Sequence, residues 1–145
     1  MKSKEKIGEV LSSMESMNYT GLSVAEQGIL TFTKAQLKKI LESADSLEQG
    51  VDSKSWDDVI VNFLNTVQRV NLLYAYLMQP SVISSLMSGK IWEIAEKVLE
   101  RISDLMGEVI VMLRRNLKDM GVESLSVSLN SSPPSFNVSI VMKNA

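Results

Sequence analysis

The 145-residue sequence contains neither cysteine nor histidine. The absence of cysteine excludes disulfide bonds, thiolate nucleophiles, cysteine-ligated zinc and iron–sulfur clusters. The absence of histidine removes the commonest general base and the usual ligand of transition metals. Because Ser-His-Asp and Cys-His systems cannot be built from this chain, we expect no enzymatic activity, no cofactor and no bound metal ion. A chain without cysteine also fits a reducing compartment, so we expect a cytoplasmic location.

The sequence also lacks an excess of charge of either sign. It has 15 basic and 17 acidic residues and a formal net charge of −2, so electrostatics gives no reason to expect nucleic acid or an anionic membrane as a partner.

Residues 70–89 carry no charge but include Asn71, Gln79, Pro80 and four serines. Spanning helices need predominantly apolar residues, so we expect no transmembrane segment. The charged residues 1–6 are not followed by an apolar core, and no secretory signal is expected.

The hydrophobic residues that are present, 45% of the sequence, are spaced as in a helical protein of one domain. They recur at steps of three and four residues, which places them on one face of each helix. This pattern predicts helices over 3–17, 23–49, 56–79 and 90–120, and a short helix over 81–88. The longest of them has a heptad-like seam and is predicted to pack against a neighbouring helix.

Two capping boxes lie in the second predicted helix. In such a box the first side chain accepts a hydrogen bond from the third helical amide, and the acidic or amide side chain reaches back to the first residue. Ser23 with Glu26 forms the first box and predicts where the helix begins. Thr33 with Gln36 forms the second and permits a break, so residues 23–49 are predicted as one bent helix or two consecutive ones.

Glycine and serine mark the junction between the second and third helices. Gly50 is predicted to stop the second helix, with residues 50–54 as a loop. Ser55 is predicted to cap the third helix. Asp57 and Asp58 follow in its first turn, where the helix dipole favours negative charge.

The C-terminal residues change to a period of two, which is typical of β-strands. Apolar and polar residues alternate on both sides of Ser131-Ser-Pro-Pro-Ser135, so we predict a hairpin with one apolar face. The predicted fold class is therefore mainly α (α+β). It is a four-helix-type bundle over about 3–120 with a C-terminal two-stranded antiparallel β-hairpin over about 122–143, in one domain of residues 1–145.

A two-stranded hairpin is only marginally stable alone in water, so its apolar face needs a partner. It either packs onto its own helices or gains strands from a second copy, making a four-stranded sheet across a two-fold axis. Our leading hypothesis is a non-enzymatic, self-associating interaction or structural module, with a homodimer as the expected oligomer. The side chains expected to mediate self-association are Leu125, Val127, Leu129, Phe136, Val138 and Ile140.

Nucleic-acid binding is the first alternative function. Residues 81–90 combine small polar residues with Gly89 and Lys90, so they could form a recognition helix, with the hairpin as the wing of a winged helix. However, this segment has no basic residue before Lys90 and the chain as a whole is acidic, so a nucleic-acid partner is not the expected one. The candidate contact residues are Ser81, Ser84, Ser85, Lys90, Arg114, Arg115 and Lys118.

The second alternative is a helical bundle that holds an apolar small molecule. The chain has nine methionines, and the flexible methionine side chain adapts to irregular shapes. A methionine-lined cavity is the structure that this hypothesis predicts. The sequence does not indicate which small molecule would bind there.

Overall fold

The computed structural model describes residues 1–131 and 134–144, and this part of the chain forms five α-helices and one antiparallel hairpin. The fold class predicted from the sequence is confirmed. The predicted turn at the hairpin tip, residues 132 and 133, lies outside the described residues. The elements are α1 (Lys2–Glu15), α2 (Val24–Asp52), α3 (Trp56–Leu77), α4 (Pro80–Leu86), α5 (Trp92–Arg114), β1 (Val122–Ser131) and β2 (Pro134–Met142), with a 3₁₀ turn at Tyr19–Gly21.

The helices pack around one hydrophobic core. α2 and α3 pack against each other, α1 lies against α5 and α2, and α4 lies against α2 and α3. The hairpin joins this body through β2, which lies against α3. Large side chains that are fully buried come from α1, α2, α3 and α5, and they include Ile7, Met14, Leu30, Leu37, Ile40, Leu47, Phe63, Leu73, Leu77, Ile102 and Leu105.

The Glu108 carboxylate of α5 anchors the first turn of α1 through two hydrogen bonds. One of its carboxylate oxygens accepts a hydrogen bond from the backbone amide of Ser3 (3.3 Å), and the other accepts from the Ser3 hydroxyl (2.8 Å). The carboxylate thus satisfies an amide that has no partner within the helix, and its negative charge suits the positive end of the α1 dipole. Because the start of α1 meets the C-terminal half of α5, the two helices are antiparallel.

α2 is one continuous helix of 29 residues. The capping box of Ser23 and Glu26 forms as predicted: the Ser23 hydroxyl accepts from the Glu26 amide (3.1 Å), and the Glu26 carboxylate accepts from the Ser23 amide (3.0 Å). Thr33 and Gln36 do not start a second helix. Both are buried in the middle of α2, where packing against the rest of the bundle outweighs a local capping signal.

Gly50 does not stop α2, so this prediction was wrong. The helix continues to Asp52, and Gly50 is buried where α2 and α3 approach each other. A Cβ atom at this position would lie 2.9 Å from Cγ2 of Val59, so the glycine permits the close contact of the two helices. The left-handed conformation at the turn is adopted instead by Lys54, with φ of 57°.

Ser55 precedes α3 as predicted, but its hydroxyl does not make a capping bond. It instead forms a hydrogen bond with the Ser53 hydroxyl (2.9 Å). Pro80 separates α3 from α4 and occupies the first turn of α4, where a missing amide hydrogen is tolerated.

No helix in the described part of the chain is long and apolar enough to cross a membrane.

α5 is shorter than predicted, because it ends at Arg114 instead of continuing to Met120. The backbone amide of Asn116 bonds to the carbonyl of Leu113 (2.9 Å), three residues back, which tightens the last turn. The Asn116 side chain also donates to the carbonyl of Met112 (2.8 Å). The following residues form turns up to Gly121, which has φ of 70°, so the chain can reverse into β1.

Candidate interaction surface

The two strands of the hairpin pair in the register that their alternation predicts. Leu125 lies opposite Ile140, Val127 opposite Val138 and Leu129 opposite Phe136. A bulge at the start of β1 lies between Val122 and Ser124. Opposed residues in an antiparallel pair point to the same face. The six apolar residues therefore form one face. Serine and asparagine residues, together with the exposed Val141, form the other.

The apolar face is packed largely onto the helices of its own chain. Leu125 is buried in the core, and Val127, Phe136, Val138 and Ile140 are half-buried against it. Leu129 differs from them because 58% of its surface is exposed. Of the two arrangements left open by the sequence, the hairpin thus adopts packing on its own helices. The face predicted to mediate self-association is not a free surface, apart from Leu129.

Asn71 of α3 binds the backbone of β2. Its side-chain nitrogen donates to the carbonyl of Phe136 (2.9 Å), and its side-chain oxygen accepts from the amide of Phe136 (2.7 Å). A neighbouring antiparallel strand would make the same two hydrogen bonds to one residue of β2. The carbonyl and amide of Phe136 therefore point away from β1, towards α3.

Tyr74, one helical turn after Asn71, supports the same contact. Its ring centroid lies 6.0 Å from that of Phe136, and its hydroxyl forms a hydrogen bond with the Ser103 hydroxyl of α5 (2.8 Å). Burial raises the pKa of Tyr74 above its ordinary value. The tyrosine stays neutral at physiological pH and links α3, α5 and β2.

The orientation of the Phe136 amide and carbonyl shows which backbone groups of β1 face its outer edge, the edge away from β2. Opposed residues of an antiparallel pair alternate between those that bond to each other and those whose groups point outward. The amide and carbonyl of Phe136 point outward, so those of its partner Leu129 point outward too. At steps of two along β1, the same holds for the amides and carbonyls of Val127 and Leu125. In the part of the chain that the structure describes, no hydrogen bond is made to the outward groups of these three residues. We call this row the free edge of β1.

The strand that carries the free edge has no charged side chain after Glu123. Residues 124–142 contain no Asp, Glu, Lys or Arg. Natural edge strands are usually protected by charged side chains, by proline or by a bulge. In β1 only the bulge is present, at the end next to the helices. The row from Leu125 to Leu129 is therefore open to pairing with another strand.

The short helix proposed to read nucleic acid is smaller than predicted. α4 ends at Leu86, so Lys90 lies outside it. The Lys90 ammonium group donates to the carbonyl of Gly21 (2.6 Å), and Ser85 donates to the carbonyl of Ser81 within α4 (3.3 Å). Ser84 is exposed. A seven-residue helix whose nearest lysine bonds to its own chain offers little to a phosphate backbone.

The basic residues near the end of α5 are not brought together with α4. Arg114, Arg115 and Lys118 are exposed, but α4 precedes the first residue of α5, whereas Arg114 is its last residue and Arg115 caps it. A helix of this length spans roughly 33 Å. The predicted candidate residues for nucleic-acid binding thus fall into two separate groups.

Glu26 holds the segment between α4 and α5 in place. Besides the Ser23 amide, its carboxylate accepts a hydrogen bond from the Ser88 hydroxyl (3.0 Å). The hydrogen bond from the Ser23 backbone lowers the pKa of Glu26 below its ordinary value; burial opposes this, and Ser88 and the nearby Lys90 charge add to it. The Glu26 carboxylate is therefore a structural link between α2 and the residues before α5.

Two clefts of the helical body are candidate ligand sites, and neither is an apolar cavity lined mainly by methionine. An apolar cleft of about 230 Å³ between α3, α4 and α5 is smaller than the ~300–1,000 Å³ of typical small-molecule sites. Met78 is the only methionine among the residues described at its wall, so the cleft does not match the methionine-lined cavity of the second alternative. A groove of about 750 Å³ between α1 and α5 lies within that size range and includes Met1 and Met112, but charges of both signs line it as well, from Lys2, Lys6, Arg115, Asp104 and Glu108.

In the described residues, no group of three or more acidic side chains is placed to hold a metal ion. Comparison with known protein families, with curated proteins and with solved structures found no match to this chain.

Sequence reasoning missed Asn71, which it used only as a polar residue that argues against a membrane span. The available signal was a lone amide in an otherwise apolar part of α3. Its partner Phe136 is 65 residues away along the chain.

Proposed function

We propose that the chain is a non-enzymatic interaction module that self-associates through the free edge of β1. The position of the hairpin carries this proposal, because β2 lies beside α3 and β1 has no comparable helix beside it. Asn71 occupies one position of the β2 edge with two hydrogen bonds. The corresponding groups of Leu125, Val127 and Leu129 on β1 have no such partner in the described chain. Unpaired strand edges of this kind are templates for a further strand.

The side chains of β1 support the same proposal. Leu129 leaves a large apolar side chain exposed beside the free edge. With no charge from residue 124 to residue 142, a second β1 strand meets no repulsion. In strand addition, backbone hydrogen bonds supply the affinity and alternating side chains select the partner. The helical body supplies a rigid support through its contact with β2.

The experiment compares proline substitutions on the two edges. Val127→Pro removes an amide that points to the free edge, while the bonds between β1 and β2 are made by the neighbouring residues and are retained. Val138→Pro is the matched control, because Val138 lies opposite Val127 and its amide points to the β2 edge. Mass in solution is measured by size-exclusion chromatography with light scattering, and folding by circular dichroism.

We expect a dimer for the wild-type chain and for Val138→Pro at micromolar concentration, and a folded monomer for Val127→Pro. A wild-type chain that remains monomeric up to high micromolar concentration would refute self-association. Equal loss of the dimer in both folded variants would show that the free edge of β1 is not the contact.

A further inference from the structure

We infer that two copies of the chain pair their β1 strands in antiparallel orientation with Val127 of each copy at the two-fold axis, forming one four-stranded sheet. This inference rests on the proposed self-association and identifies the partner as a second copy of this chain. Its basis is the row of outward backbone groups at Leu125, Val127 and Leu129 together with the uncharged sequence around them.

The two faces of the hairpin determine the orientation. A two-fold axis perpendicular to the sheet reverses the strand direction and keeps both apolar faces on the same side. Both helical bodies then lie on one side of the four-stranded sheet, and the serine and asparagine residues of both hairpins lie on the other. Each apolar face retains the contact with its own α3, so assembly requires no unpacking of either chain.

The outward groups restrict the register. Hydrogen-bonded pairs across the new contact must join residues whose amide and carbonyl point outward, and these are Leu125, Val127 and Leu129. With Val127 opposite Val127, Leu125 of one copy lies opposite Leu129 of the other, and the same pair recurs on the far side of the axis. Each pair formed by these three residues then places an apolar side chain opposite an apolar side chain.

The neighbouring registers satisfy these requirements less well. If Ser126 lay on the axis, Leu129 would lie opposite Glu123, which places a charge beside an apolar side chain. If Ser128 lay on the axis, Leu125 would lie opposite Ser131. With Ser128 on the axis Leu129 would also meet an apolar residue, Val127, but only the register centred on Val127 gives all three outward residues an apolar partner. It covers the exposed Leu129 with Leu125 of the second copy.

Cysteine cross-linking tests the register directly, because the chain has no cysteine of its own. Val127→Cys, Ser126→Cys and Ser128→Cys are prepared separately and oxidised under identical mild conditions. In the inferred register the Cα atoms at position 127 lie about 5.5 Å apart, within disulfide range. Those at position 126, or at position 128, lie roughly 8 Å apart, because two residues of rise separate them along the strands.

We expect Val127→Cys to form a covalent dimer at least about tenfold faster than either serine variant. Fastest cross-linking at position 126 or 128 would overturn the register while self-association stands. A dimer by light scattering that cross-links at none of the three positions would overturn pairing through β1. A monomeric wild-type chain would instead refute the proposed function itself, so the two failures are distinguishable.

Charge pairs on the exposed polar face give a second test that does not change the apolar residues. In the inferred register Ser126 of each copy lies opposite Ser128 of the other. Ser126→Lys combined with Ser128→Glu then creates two opposite-charge pairs across the axis, whereas Ser126→Lys with Ser128→Lys creates two like-charge pairs. We expect the dissociation constant of the Lys–Lys variant to be roughly tenfold higher. Equal dissociation constants for the two variants would place Ser126 or Ser128 on the axis, because a residue on the axis meets its own copy and both variants then carry a like-charge pair; this result would overturn the inference.

Discussion

Asn71 of α3 binds both the carbonyl and the amide of Phe136 in β2, at 2.9 Å and 2.7 Å. A side-chain amide here takes the place of a neighbouring strand at a sheet edge. It fastens the hairpin to the helical body and closes the β2 edge at that residue, while the equivalent groups on β1 remain open. This asymmetry links the packing of the hairpin to the proposed function.

Asn71→Ala should destabilise the chain by about 1 to 3 kcal/mol, because two hydrogen bonds are lost and the amide and carbonyl of Phe136 lose their partner beside α3. Chemical denaturation monitored by circular dichroism measures the change. Asn65→Ala is the control, since Asn65 is exposed on the same helix, and its effect should stay within about 0.5 kcal/mol. Equal effects of the two substitutions would show that the contact between Asn71 and Phe136 contributes no stability.

Gly50→Ala should destabilise the chain although alanine favours helices. The added Cβ would lie 2.9 Å from the buried Val59 side chain, and forcing such a contact costs about 1 to 3 kcal/mol. Gly28→Ala, in the same helix, meets no atom within 4 Å and should stabilise by about 0.5 to 1 kcal/mol. Thermal or chemical denaturation should therefore give opposite signs for the two variants. If Gly50→Ala were stabilising, the close approach of α2 and α3 would not depend on this glycine.

The Glu26 contacts should produce a stability difference that depends on pH. The folded-state pKa of Glu26 lies below its ordinary value of 4.5, so its contribution is present above that value and is lost as the pH falls through the folded-state pKa. The difference in unfolding free energy between wild type and Glu26→Gln should be constant near neutral pH and shrink below about pH 4.5. Denaturation curves over pH 3 to pH 7 measure it. A difference that grows with acidification would contradict the assigned direction of the shift.

Arg114→Ala combined with Arg115→Ala should leave the fold and the dimer unchanged, because both side chains are exposed and neither belongs to the free edge of β1. The expected change in stability is within about 0.5 kcal/mol. Light scattering and circular dichroism test this, and retention on DNA at low salt tests the alternative function. Salt-sensitive DNA binding that disappears in the double variant would favour the nucleic-acid hypothesis.

Much of the fold could be predicted from local patterns. The helix repeats of three and four residues, the capping box at Ser23 and Glu26, and the alternation around Leu125 and Ile140 each depend on residues that are near in sequence or opposed in a hairpin. Local geometry limits what such segments can form, so the helical body, the terminal hairpin and its apolar face were predictable.

Other features were decided by tertiary contacts. Gly50 carries the signal of a helix end but serves a close helix contact, because Val59 lies against it. The Thr33 and Gln36 box is overridden by burial, since both residues are buried in the middle of α2. In each position a local propensity of at most about 1 kcal/mol competes with packing worth more.

The amino-acid sequence by itself determined that one face of the hairpin is apolar and that residues 124–142 carry no charge. Only the tertiary structure decided which edge of the hairpin stays open. The reason is that β2 lies beside α3, where Asn71 bonds to Phe136, a residue 65 positions away along the chain. No repeat or local motif encodes a contact over that separation; it forms because the folded helices bring α3 beside β2.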